Sequence, residues 1–155
     1  MKKILLGVSA LMLGATLSTQ AQLMTEHFDY TAGTTLTSNG WVAHSAAGTN
    51  PMTVGSGSLA FPDYAPAPIG GAGVCIGNSE DINKSFPYVT SGNVYASFLL
   101  RVDTIGGAGY FFHFMDTAAS SAFRARTFFQ ADANNANAFN LGLTFNSSTG
   151  VFDTT

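Results

Sequence analysis

Residues 93–103 read Asn-Val-Tyr-Ala-Ser-Phe-Leu-Leu-Arg-Val-Asp, and their alternation restricts the fold more than any other feature of the chain. In an extended backbone successive side chains point to opposite sides. Val94, Ala96, Phe98, Leu100 and Val102 therefore form one face, and Tyr95, Ser97, Leu99, Arg101 and Asp103 the other. The same period returns near the end of the chain, where Phe139, Leu141, Leu143 and Phe145 point one way and Asn140, Gly142 and Thr144 the other. Helical spacing is nearly absent. No window of about a dozen residues places apolar side chains at i, i+3, i+4 and i+7 without glycine, proline or β-branched interruptions.

Shorter strand signals recur between Gly, Asn, Asp and Ser clusters. Residues 26–30 read as an opening strand, and 41–45 as a second, with Trp41 at a core corner. Val54, a Gly-Ser-Gly turn, then Leu59 and Phe61 read as a hairpin, and the proline-rich stretch 62–73 as a loop. Residues 110–116 and 123–132 are further strands, and 146–155 a hairpin turn entering one more. Many strands joined by turns predict an all-β fold, an antiparallel β-sandwich in one domain. Composition agrees: charged residues are only 10% of the 155, while 17 glycines and 13 phenylalanines accompany abundant Thr, Ser and Asn.

The first 21 residues have the three-part form of a secretory signal peptide. Lys2 and Lys3 make a basic start, an apolar run of about a dozen residues follows, and a small, polar region ends at Ala21. Cleavage after Ala21 leaves a domain over 22–155 and a secreted or cell-surface location. The apolar run is shorter than the roughly 20 residues that span a bilayer, so no membrane insertion is expected after cleavage. Without the leader, 4 basic and 9 acidic side chains remain. That balance disfavours nucleic acid and anionic lipid, which need clustered Lys and Arg. Cys75 is the single cysteine, which excludes an intramolecular disulfide, and within Gly-Val-Cys-Ile-Gly it reads as a buried small hydrophobe.

The phrases at 26–54, 79–102, 109–114 and 123–129 resemble the N-terminal domain of large exported bacterial proteins. Those carry a concanavalin A-like (laminin G-like) jelly roll and, often, a C-terminal sorting domain for type IX secretion. The resemblance covers nearly all of the chain from Gln22. It implies a jelly roll and a surface location. With no sorting domain present and the chain ending just inside a strand, it also implies a domain incomplete at its C-terminus. The wider fold group includes lectins and β-glucanases, whose catalytic strand motif is Glu-x-Asp-x-(x)-Glu. The glutamates here, Glu26 and Glu80, lie far apart and no such motif exists, so that activity does not carry over.

Candidate site residues are few. At strict period 2, Tyr110, Phe112, Phe114 and Asp116 share a face and Phe111, His113 and Met115 the other, so a dyad of His113 and Asp116 within a regular strand is disfavoured. His113 instead reads as a concave-face contact or as a half-buried core histidine. Arg124 and Arg126 project to one face by the same count, where paired guanidinium forks suit a sugar carboxylate; ion pairs with Asp103, Asp116 or Asp132 are the plainer reading. Tyr95, like Trp41, Tyr30, Tyr64 and Tyr88, could stack on a sugar ring. Glu80, Asp81 and Asn83 gather oxygen ligands suited to calcium, though without a diagnostic spacing, and a polar turn is the alternative. Together these readings lead to an exported, non-catalytic module that binds glycan or another cell-surface component. The alternatives are the N-terminal part of a secreted hydrolase, or a structural spacer of an adhesin. Apolar faces such as that of 139–145 predict poor solubility for the chain alone.

Overall fold

The computed structural model describes residues 22–64, 71–75, 80–104, 107–117 and 122–152; the leader reading falls outside the described residues. The fold is all-β and antiparallel, with sandwich character. Its one helical turn among the described residues is a 3-10 turn, Thr37–Asn39. The described residues hold eight strands after it: β1 (Val42–Ser45), β2 (Thr53–Gly55), β3 (Ala72–Val74), β4 (Asp81–Asn83), β5 (Gly109–Met115), β6 (Phe123–Ala131), β7 (Phe139–Thr144) and β8 (Val151–Phe152). β1 pairs with β4, β2 with β3, and β5-β6-β7-β8 form a four-stranded meander.

Turn chemistry explains the meander. Asp132 Oδ1 accepts hydrogen bonds from the Asn134 and Asn135 amides at 2.7 and 2.9 Å, closing the β6–β7 turn. Between β7 and β8, Thr144 Oγ1 and Ser147 Oγ accept from the Ser147 and Thr149 amides. Gly142 in β7 is buried because the Phe152 ring of β8 lies over it; a Cβ there would stand 2.7 Å from that ring.

Two small sheets hold the N-terminal half. Leu36 and Val54, both buried, lie where the Leu36 amide donates to Met52 O and the Val54 amide to Thr34 O. The segment after Gln22 is tied to the start of the loop behind β4 by a polar latch. Lys84 Nζ donates to Glu26 Oε2 and to the Tyr30 hydroxyl, Tyr30 donates to Glu26 Oε2, and the Phe28 amide donates to Glu26 Oε1. The ammonium sits 5.7 Å from the Tyr30 ring centre and 5.6 Å from that of Trp41, and Trp41 stacks on Phe28.

Several expectations give way. Residues 26–30 are not a strand: the Glu26 carboxylate binds the Phe28 amide, Tyr30 N donates to Phe28 O, and Phe28 takes a positive φ of 53°. A local side-chain bond satisfies that backbone before any ladder can. The expected hairpin from Val54 to Phe61 is replaced by β2 pairing with β3, because glycines let β3 approach: a Cβ on Gly71 would lie 2.5 Å from Gly55 O. Cys75 is exposed, not buried.

The largest departure is residues 93–103. They form no strand, and their backbone makes no backbone hydrogen bond to any described residue. Phe98 packs across the sheet on Phe111 and Phe112, at 6.0 and 5.2 Å between ring centres. Alternation sets sidedness, but a ladder also needs a partner edge, and this segment crosses a sheet face instead.

Candidate functional site

Bulges decide which side chains meet. The β5–β6 register shifts on both sides of Phe112, and Ala125 in β6 takes the left-handed φ of 49°. Tyr110 pairs with Phe128, Phe112 with Thr127, and Phe114 with Arg124. The two irregularities place Phe111 and Phe112 together on one face, where both touch Phe98, and bring Tyr110 round to the face of His113. The strict alternation expected for 110–116 is corrected accordingly. His113 and Asp116 still lie on opposite faces.

The same bulge separates the arginines, contrary to the expectation of a paired fork. Arg124 lies over the Phe145 ring at 5.4 Å and pairs with Asp116 at 3.5 Å. Arg126 goes to the other side, over Phe123 at 4.4 Å and Tyr110 at 5.2 Å, and donates from Nη1 to Ser147 O at 2.9 Å. A left-handed residue between two side chains cancels the half-turn that would have aligned them.

His113 thus joins an aromatic and polar cluster. Its ring stacks on Phe123 at 4.4 Å and approaches Tyr110 at 5.4 Å, while His44 of β1 meets Phe123 edge-on. The Tyr110 hydroxyl donates to Asp81 Oδ2 at 3.3 Å, and Ser45 donates to the same oxygen at 2.6 Å. These contacts dock the β1–β4 pair onto the meander. Burial, then the nearby Arg126 charge, hold His113 below the ordinary histidine value, with the Asp81 carboxylate opposing them. Burial and then Asp81 push the Tyr110 hydroxyl up, so it stays a donor. His113 Nδ1 and Arg126 Nε are buried without a hydrogen-bond partner.

Beside this cluster the same face opens into a groove of about 430 Å³. Tyr110, Phe128 and Phe152 supply its aromatic surface, and Gln130, Ser148 and Thr149 its polar groups. No carboxylate or ammonium lines it among the described residues. Sequence reasoning found the neighbours His113 and Arg126 but missed Tyr110, Gln130 and Phe152. Gln130 shares its parity with Arg126 and Phe128, which is a readable signal; the position of Tyr110 depends on the bulge and is not.

The remaining candidates do not converge here. Tyr95 is 78% exposed, with Asn93 Nδ2 against its hydroxyl. Glu80 is buried to 3% exposure: its Oε2 accepts from the Gly48 amide at 2.8 Å and its Oε1 has no partner. Asp81 turns instead to Ser45 and Tyr110, and Asn83 lies at the far end of β4, opposite Val42. The oxygen chemistry of Glu80 suits calcium, but Glu80, Asp81 and Asn83 are not drawn together. Among the described residues no three His, Cys, Asp or Glu side chains are grouped as a metal site, and no helix is long and apolar enough to cross a membrane. No family model, curated protein or solved structure matches the chain.

Proposed function

We propose that this chain is an exported, non-catalytic β-sandwich module, of the concanavalin A-like jelly-roll kind that its strand-and-turn phrases resemble, and that it binds glycan or another cell-surface component in the groove beside Tyr110. The observation that carries the reading is the lining: three aromatic rings with an amide and two hydroxyls, and no charged side chain among the described residues. Sugars present apolar C–H faces to aromatic rings and neutral hydroxyls to amide and hydroxyl partners, so a concave surface of this make-up suits them. The non-catalytic part rests on the carboxylates. Glu26 is held in the Lys84 latch, Glu80 is 3% exposed against the Gly48 amide, and the two do not form the Glu-x-Asp-x-(x)-Glu strand motif of a catalytic pair.

The test is a glycan array on the full chain, followed by titration of any ligand found against Gln130→Ala and Ser148→Ala. Each loss of a neutral hydrogen bond is expected to weaken binding about tenfold. Absence of binding to every glycan, or variants that bind as the wild type does, overturns the reading.

A further inference from the structure

Residues 93–103 combine three properties that suit addition to a partner strand. They alternate strictly between an apolar and a mixed face. Their backbone donates and accepts no backbone hydrogen bond among the described residues. Most of their side chains are exposed, including Tyr95, Phe98 and Leu100. The segment's side-chain bonds leave its backbone untouched: Arg101 binds Asp103 within it through Nε and Nη2, and Ser97 Oγ meets the Tyr64 hydroxyl outside it. Backbone amides and carbonyls left unpaired along an alternating run are open to strand addition.

The segment is also complementary to itself. When two copies run antiparallel about a two-fold axis at Phe98, Val94 stands opposite Val102, Ala96 opposite Leu100, and Phe98 opposite Phe98. On the other face Tyr95 stands opposite Arg101, an arginine-on-ring pair, and Ser97 opposite Leu99. Asn93 meets Asp103, so no like charges are opposed. This register alone sets all five apolar residues of one face against each other; a slip by two residues in either direction leaves one of them facing a residue outside the set. We propose that residues 93–103 pair with the same segment of a second copy, making a two-fold antiparallel strand ladder and a homodimer.

Sedimentation of the full chain over a range of concentrations reads the mass. The wild type is expected at twice the chain mass. Ala96→Pro or Ser97→Pro, one of which removes a ladder N–H whichever alternate amides face the partner, is expected at one chain mass with an unchanged circular dichroism spectrum, because neither amide makes a backbone hydrogen bond among the described residues. Register is read by cysteine pairing in a Cys75→Ser background. Ala96→Cys mixed with Leu100→Cys is expected to give a disulfide-linked heterodimer, since directly opposed residues lie about 4.5–5.5 Å apart. Neither variant is expected to cross-link with itself. A wild type of single-chain mass throughout, a species larger than two chains, an unchanged dimer in both proline variants, or equal self-cross-linking of each cysteine variant overturns the proposal.

Discussion

The latch at Lys84 gives the sharpest stability prediction, because its parts are separable. Replacing Lys84 with Met keeps the length and apolar stem of the side chain and removes its charge. Lost are a charge-assisted bond to Glu26 Oε2, a bond to the Tyr30 hydroxyl at 3.0 Å, and contacts with the Tyr30 and Trp41 rings. A hydrogen bond to a charged group contributes about 1.5–3 kcal/mol when removed, and each exposed ring contact about 0.5–1 kcal/mol. The Met side chain recovers part of the ring packing. The net expectation is a loss of about 2–3 kcal/mol, which lowers Tm by roughly 6–12 °C for a domain of this size.

The assay is a double-mutant cycle with Glu26→Gln, followed by chemical denaturation, with a coupling energy of at least about 1 kcal/mol expected between contacting partners. Burial works to raise the Glu26 pKa, but the hydrogen bonds from Lys84, the Phe28 amide and Tyr30 leave it below the ordinary 4.5. A depressed carboxylate contributes stability that is fully present above pH 4.5 and fades as pH falls through the folded-state value. Lys84 is raised above 10.5, chiefly by its bond to Glu26, so its contribution persists below that pH and is lost as pH rises through the raised value. The gap between wild type and Glu26→Gln should therefore be flat at neutral pH and close in acid. A coupling energy near zero, or a gap that survives well below pH 4.5, would refute the latch as a source of stability.

Three further outcomes follow from the site and its supports. His113 has its folded-state pKa below the ordinary 6.5, so the unfolded chain binds more protons in that range and stability falls as pH drops below 6.5; His113→Phe should flatten the slope of Tm between pH 5 and 7, and an unchanged slope would place its origin elsewhere. Gly142→Ala drives a methyl into the Phe152 ring and should cost about 1–3 kcal/mol by overpacking, read by chemical denaturation; an unaffected midpoint would mean β8 detaches freely. Because Glu80, Asp81 and Asn83 are not drawn together, calcium is expected to leave the unfolding midpoint of the wild type unchanged; a gain that EDTA reverses and that Glu80→Gln abolishes would restore Glu80 to a ligand set.

Much of the meander was legible in the alternation of its side chains. β5, β6 and β7 fall where period-2 runs end in Gly, Asn and Asp, and β7 keeps the two faces its sequence assigns. Its apolar side nevertheless stays in water: Leu143 is 59% exposed and Val151, opposite it on β8, 76%. Periodicity reports which residues share a face, but nothing in it says which face another layer will cover. The groove was only half readable. Phe128 and Gln130 follow from parity with Arg126, while Tyr110 and the separation of Arg124 from Arg126 depend on where a strand pair absorbs an extra residue.

The sequence by itself determined the all-β class, the positions of the long strands and the opposition of His113 and Asp116, because each follows from backbone geometry repeated residue by residue. Tertiary structure alone decided the rest. Ala125 takes a left-handed conformation only where β5 and β6 must be kept in register, and that one residue puts Arg126 beside His113 while sending Arg124 to Asp116. Residues 93–103, with the plainest strand pattern in the chain, acquire no ladder because hydrogen bonds are made between segments, and a pattern within one segment cannot supply the other.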